Sequence, residues 1–309
     1  MNRSANASIR VPRRRLDGVL LLDKAVGISS NHALQAARRL YRAEKAGHTG
    51  TLDPLATGLL PLCFGEATKF SSELLDADKQ YLATVQLGVT TDTADAEGRI
   101  LETRPVDVSS DDISAALAEF VGEIDQVPPM YSALKRDGKP LYEYARAGIE
   151  IERKARRVVI HELHRIDSAD TLANNSFVFE VRCSKGTYVR TLAADIGERL
   201  GCGAHLTALR RTAIGSLSLD KAHTLSQIEG LAEEARDELL LAPDFLLAGI
   251  GEVRLDAVTA AHLMHGQTLE WPGQPGLRVR AYGPEGRFIG LCQHTDDNRL
   301  RPLRLVAEY

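Results

Sequence analysis

Residues Gly47–Lys69 read GHTGTLDPLATGLLPLCFGEATK, and the first half of this stretch suits an unusual backbone path more than a helix. Gly47, Gly50 and Gly58 allow turns that a Cβ would obstruct, and they let a large ligand come close to the main chain. Pro54 disfavours the helical region for the residue before it, so Asp53 lies on a loop or extended segment. From Leu59 to Phe64 the residues turn apolar, the pattern of a buried strand. A loop carboxylate framed in this way is a candidate nucleophile or acid/base. The ordinary use of such an Asp is an Asx-turn or a cap. His48 stands five residues earlier, and a surface hydrogen-bonding histidine explains it as well as a catalytic one does.

Upstream, Leu16–Leu22 is a short strand candidate. Ser29, Ser30 and Asn31 offer N-caps for a helix through Tyr41 that places Ala33, Ala37 and Leu40 on one face. Downstream, Lys79–Leu87 alternates, with Tyr81, Ala83, Val85 and Leu87 on one side. Thr91–Gly98, TDTADAEG, has its acids in the wrong register for a calcium loop and reads as a polar turn. Ser110 can cap a helix that turns Ile113, Leu117 and Phe120 inward. Val127–Arg157, rich in Pro, Gly and Lys/Arg, reads as an excursion from the core.

Phe177–Cys183 alternates again. The following CSKGTYVR (Cys183–Arg190) puts Tyr188 and Arg190 at a strand–helix junction behind Gly186, where an Arg can pair with a carboxylate from elsewhere. Leu192, Ile196 and Leu200 mark a helix stopped by Gly201, and Leu206–Arg211 is a further strand. A boundary near Ala248–Gly251 precedes a helix around Asp256–His265 and strands at Leu277–Tyr282, Arg287–Gln293 and Leu303–Val306. Strands and helices intersperse without a βαβ rhythm, so the expected class is α+β.

In 309 residues, 44% hydrophobic and 26% charged, there is material for about two domains with a proper core. No apolar run is long enough to span a bilayer and no secretory signal is visible, so the expected location is cytoplasmic. Cys63, Cys183, Cys202 and Cys292 are scattered without metal-ligand spacing, which suits reduced thiols and no metal site. A net charge of −4 argues against binding nucleic acid by bulk charge but leaves room for local basic surfaces. Two are visible. Arg10, Arg13, Arg14 and Arg15 lie in a polar N-terminal arm, residues 1–15, expected to be flexible. The second runs from Lys135 to Arg157. A solvated basic face accounts for either equally well on sequence alone.

The quoted segment closely resembles the signature of the TruB family of tRNA pseudouridine synthases, bacterial type. DKAVGISSN (Asp23–Asn31), KQYLATVQLGVTTDTADAEG (Lys79–Gly98) and VPPMYSALKRDGKPLYEYARAGIE (Val127–Glu150) resemble further family segments, in the family's order. So do CSKGTYVRTLAADIGERLGCGAHLTALRR (Cys183–Arg211) and the terminal RPLRLVAEY. The chain departs at Ala25, where family members commonly carry Pro after the Lys, which bears on the rigidity of that turn.

The resemblance implies a pseudouridine synthase fold over residues 16–248, with a central mixed β-sheet and cleft. It also implies an RNA-clasping insertion at 127–157 and a mostly-β PUA-like RNA-binding domain at 249–309. The implied reaction is isomerisation of uridine 55 in the TΨC loop of tRNA. It needs no cofactor, metal or guide RNA, and the partner is the tRNA T-arm, not DNA or a membrane, with the protein a monomer. Asp53 matches the family's catalytic carboxylate, Tyr81 the tyrosine implicated in proton removal at C5, and Arg190 the arginine paired with the carboxylate. His48, Tyr188 and Leu209 match positions that contact the nucleotide region, together with Tyr81. Sequence does not choose whether Asp53 attacks uracil C6, attacks the sugar C1′ or takes a sugar proton. Two rivals, a tRNA-folding chaperone without isomerase activity and a guide-RNA-dependent synthase, fit less well. A pure binder has no use for Asp53, Tyr81 and Arg190, and the compact C-terminal domain and the insertion are of the bacterial type.

Overall fold

The computed structural model describes residues 12–166 and 174–307. In chain order the first half runs β1 (Gly18–Lys24), α1 (Ser30–Leu40), β2 (Ala46–His48), β3 (Thr57–Phe64), α2 (Ser72–Leu75) and β4 (Lys79–Leu87). A hairpin β5 (Val89–Thr91) and β6 (Ile100–Thr103), then α3 (Ser110–Glu119) and β7 (Gly122–Gln126), lead into the insertion with β8 (Lys135–Arg136), β9 (Lys139–Pro140) and α4 (Leu141–Arg146). After it come β10 (Arg156–Ile166), β11 (Ser176–Cys183), α5 (Val189–Arg199), β12 (Ala204–Ile214), β13 (Leu217–Ser218), β14 (His223–Thr224), α6 (Leu225–Glu229) and α7 (Glu233–Asp237). The C-terminal part holds β15 (Gly251–Arg254), α8 (Ala257–Met264), β16 (Leu269–Glu270), β17 (Arg278–Tyr282), β18 (Phe288–His294) and β19 (Arg299–Leu305).

The large mixed sheet has the order β14-β1-β3-β12-β4-β11-β10-β7, with β2 on β3 and β13 on β12; the smaller one runs β15-β17-β18-β19-β16. The class is α+β. The continuous apolar run of β3 follows from its position between β1 and β12, buried on both faces. Leu60, Leu62 and Phe64 enter one core with Ala33 and Ala37 of α1, Ala83 and Val85 of β4, and Ile196 of α5. Leu59 and Cys63 enter a second core on the opposite face, shared with Leu291 of the small sheet. Phe70 and Phe288 meet across this junction with ring centroids 5.5 Å apart. The small sheet begins at Gly251 and is thus packed on the large one.

β4 spans the residues its alternation indicates, and α1 is capped by Ser29, whose side chain accepts from His32 N. Four details differ from expectation. Ser109, not Ser110, caps α3, because Asp112 three residues on completes a capping box with it. The loop expected ahead of the strand at Leu59–Phe64 contains β2, and that strand, β3, already starts at Thr57. β19 starts at Arg299 and runs through Pro302, a residue that cannot donate to a ladder; the pairing shifts register at Leu291/Cys292, opposite it. Of the expected arm, residues 1–11 lie outside those described, while Arg14 is tied to the fold: it pairs with Asp237 and, at 3.1 Å, Glu233 of α7.

All four cysteines are free and buried, and burial pushes Cys63 up to about 12 and Cys183 up to about 11. Among the described residues no helix is long and apolar enough to cross a membrane.

Asp195 on α5 is half-buried, and burial followed by the nearby Glu198 carboxylate pushes it up to about 6. A carboxyl raised in the folded state costs stability once pH passes that value, and costs none below the ordinary Asp value of about 4. Asp195→Asn is therefore expected to raise the urea midpoint at pH 7.5, with the gain shrinking below pH 6 and absent near pH 4. A gain of equal size at both pH extremes would contradict this reading.

Candidate active site

Three buried polar side chains pin the loop that carries Asp53 from behind. Ser30 Oγ donates to Leu52 O (2.9 Å) and accepts from Leu52 N (2.8 Å). Lys24, fully buried, donates to Ala25 O (2.9 Å), Ile28 O (2.7 Å) and Pro54 O (3.4 Å). Burial moves its ammonium down to about 8 against the pull of Asp53 and Glu97. The turn at Ala25 is thus held by Lys24 and by Gly27 N donating to Pro54 O (2.9 Å), without the ring of a proline. Arg211 Nη2 donates to Gly50 O (3.1 Å). Gly50 takes φ +75°, a conformation L side chains rarely adopt. Gly58 lies so close to β12 that a Cβ would stand 2.3 Å from Arg211 O.

Within this frame Asp53 starts a turn closed by Ala56 N donating to Asp53 O (3.1 Å), with Pro54 at its first central position. Its carboxylate does not cap that turn. Oδ2 meets Arg190 Nε at 2.9 Å, the Asp side chain 40% exposed toward the cleft and the Arg only 5%. Arg190 spends its other donors on Thr93 O (2.8 Å, Nη1) and Tyr131 O (2.7 Å, Nη2), with Asp95 Oδ2 3.5 Å from Nη1. One guanidinium so ties together the signature loop, the 91–98 turn and the start of the insertion. The strand–helix junction is fixed by buried Gln126, which donates to Tyr188 O (3.1 Å) and accepts from Tyr188 N (2.8 Å).

Asp53, Tyr81, Tyr188, Arg190 and Leu209 line one cleft of about 260 Å³, with Ser132, Cys183 and Arg211 among its other walls. Burial pushes the Tyr81 phenol up while the charge and hydrogen bond of Arg211 pull the other way. Tyr188 is likewise raised by burial, against the neighbouring Ser132 hydroxyl. His48 is not in the lining. It sits half-buried on β2, its Nδ1 without a hydrogen-bond partner, and burial, then Arg211, lowers its affinity for a proton. Among the described residues no group of three His, Cys, Asp or Glu side chains could hold a metal ion.

Two site residues escaped sequence reading. Asp95 belongs to the segment read as a polar turn. A turn it is, but Asp95 is only 3% exposed and faces Arg190. Arg211 looked like the end of a strand. The TxD spacing of Thr93 and Asp95, whose hydroxyl and carboxylate bond at 2.5 Å, hints at the first; nothing local signals the second.

Comparison with known proteins then decides the family. Residues 38–189 match the model "TruB family pseudouridylate synthase (N terminal domain)", residues 190–248 "tRNA pseudouridylate synthase B C-terminal domain", and residues 251–306 "Pseudouridine synthase II TruB, C-terminal". The chain belongs to the TruB family of pseudouridine synthases. TruB relatives named tRNA pseudouridine synthase B include one from Cupriavidus metallidurans, 56% identical over 98% of each chain. Another, from Aromatoleum aromaticum, is 58% identical over 98% of this chain and 97% of its own. Among solved structures, an H/ACA RNP bound to a substrate RNA containing 2′-deoxyuridine superposes with TM-score 0.71 at 23% identity, covering 94% of this chain and 85% of that one. An archaeal box H/ACA sRNP Nop10–Cbf5 complex gives 0.70 at 23%, over 94% and 86%. These two share the TruB fold.

Arg190→Lys is expected to lower unfolding free energy by about 2 kcal/mol or more, because a Lys leaves buried carbonyls unpaired at about 1–3 kcal/mol each. Asp53→Asn, at a partly exposed position, should cost clearly less. Equal losses in urea unfolding would contradict the central place given to Arg190.

Proposed function

We propose that this chain is a tRNA pseudouridine synthase that isomerises uridine 55 of the TΨC loop, with Asp53 as its catalytic carboxylate. The observation that carries the reading is the Asp53–Arg190 pair at a cleft wall, in a chain 56–58% identical to tRNA pseudouridine synthases B. The enzyme works in the cytoplasm as a monomer on the T-arm, without a guide RNA, metal or cofactor.

The reaction breaks the C1′–N1 bond, turns the uracil and joins C5 to C1′. N1 gains a proton and C5 loses one, so composition is unchanged. The carboxylate supplies the electron pair that starts bond exchange, as nucleophile or as base. Arg190 aims it, since Nη1 and Nη2 are spent on the Thr93 and Tyr131 carbonyls and Nε is left facing Asp53. Tyr81, on the cleft wall, stacks on the flipped base, and its oxygen receives the C5 proton. Leu209 and Tyr188 close the sides. The target must leave its stack at a cost of roughly a few kcal/mol. His48, outside the cleft and uncharged at neutral pH, fills the vacated place.

Residues 127–157 carry eight Lys/Arg against four Asp/Glu in a chain of net charge −4, which supports their reading as a clasp on the T-arm backbone. Not every cation there is available. Arg153 donates to Pro128 O (3.3 Å) and Ile151 O (3.1 Å), and Arg157 pairs with Glu123 (3.3 Å) and Asp125 (3.6 Å). Lys135, Lys139, Lys154 and Arg156 are exposed.

Asp53→Asn is expected to abolish pseudouridine formation while tRNA affinity stays within about tenfold. Turnover by the Asn variant, with reversion to Asp excluded by mass spectrometry, refutes the assignment and would leave a synthase that does not depend on the Asp53 carboxylate. Neutral replacements at Lys135, Lys139, Lys154 and Arg156 should each reduce the slope of log affinity against log salt by up to about one unit. Parallel salt plots for the two proteins would return the segment to an ordinary solvated face.

A further inference from the structure

Arg211 is the largest fully buried side chain among the described residues, 1% exposed. Among those residues no carboxylate lies within ion-pair distance of it. Nε donates to Leu59 O (2.8 Å) and Nη2 to Gly50 O (3.1 Å), and Arg211 lines the same cleft as Tyr81. In the sheet it stands directly across from Tyr81 on one side and Gly58 on the other. A cation buried without a counter-ion is costly, and an apolar side chain of similar size packs such a site more cheaply. Its retention needs a reason beyond packing.

We propose that Arg211 is a positioning residue for the reaction. From its place directly across the sheet from Tyr81 it favours negative charge on the tyrosine oxygen, and it anchors the Asp53 loop through Gly50. The inference rests on the reading of Tyr81 as proton acceptor. The proton of C5 moves to the Tyr81 oxygen, whose own proton must first have passed to solvent, the source of the proton that N1 gains. Burial opposes that loss, and Arg211 is the first-ranked influence acting against burial. Cys183 on β11 and Asp53 on the loop also face Tyr81 and oppose ionisation, so Arg211 is the favourable charge there. Lys24, Lys79 and His48 all sense the same guanidinium. Because Gly50 precedes Asp53 by three residues, one side chain aligns both reacting groups.

The test uses full-length protein labelled with 13Cζ-tyrosine, the Tyr81 resonance being assigned by its loss in Tyr81→Phe. Wild type, Arg211→Gln and Arg211→Lys are titrated, and single-turnover rate and T-arm stem-loop affinity are measured on each. In Arg211→Gln, Tyr81 is expected to ionise about one pH unit or more higher. The rate should fall about 10²-fold, with stem-loop affinity unchanged within experimental error. Arg211→Lys, which keeps the charge, should restore both in large part. Unchanged Tyr81 ionisation in a folded Gln variant overturns the proposal, as does a rate loss matched by an equal loss of affinity. Should the Gln variant fail to fold, the Lys variant decides. A rate near wild type upholds the role of charge, and a hundredfold loss with Tyr81 titrating as in wild type overturns it. If wild type makes no pseudouridine, the reading of the reaction fails, while the titration still reports on the Arg211–Tyr81 contact.

Discussion

Arg190 has five donors and almost no contact with water, and its acceptors come from three distant parts of the chain. Asp53 arrives on the signature loop, Thr93 and Asp95 on the turn after β5, and Tyr131 from the root of the insertion. A guanidinium in that position must find acceptors, because each unpaired buried donor carries a desolvation penalty of about 1–3 kcal/mol. The requirement runs both ways. The segments are held to the Arg, and the Arg is held in one orientation toward Asp53, whose carboxylate lines the cleft. A charged group in a glycine-rich loop would otherwise sample many positions, and a reaction that needs its carboxylate within bonding reach of one sugar–base link tolerates few.

The same arrangement ties the basic insertion to the cleft. The insertion carrying the exposed basic residues is joined to the Asp53 carboxylate through the Tyr131 carbonyl on Arg190. Gln126, just before the insertion, braces the backbone of Tyr188. Behind the cleft the second core joins β1, β3 and the small sheet through Leu21, Leu59 and Leu291. The C-terminal strand is fastened at its end, where Glu66 accepts from Ala307 N and Lys69 donates to Leu305 O (2.9 Å). The last residues of the signature segment, Gly65–Lys69, thus serve the junction of the two sheets and not the cleft.

Much of this was readable in the sequence because its causes are local. The alternation of β4, the Ser29 cap, the Pro54 turn and the special backbone at Gly50 are decided within a few residues. The Asp53–Arg190 partnership came from resemblance, since 137 positions separate the two and no pattern of spacing connects them. Asp95 hid in a turn whose composition is that of any polar loop; its burial depends on β12, where Ala96 N and Leu206 O are 2.8 Å apart. Arg211 was least visible. A charged residue near a strand end ordinarily faces solvent, and only the pairing of β12 with both β3 and β4 puts it inside. The cap of α3 lies one position before Ser110, at Ser109, because only Ser109 stands three residues ahead of Asp112 and can share a capping box with it.

The central claim, that this cleft is built to isomerise one uridine in a folded tRNA, is tested most directly by site mapping. Purified protein is incubated with an unmodified tRNA transcript, and pseudouridine is located along the whole RNA by chemical mapping with single-nucleotide resolution. The account predicts conversion at position 55 and no other uridine of the transcript, without added guide RNA. No conversion in correctly folded transcript, or conversion confined to a different position, would contradict it.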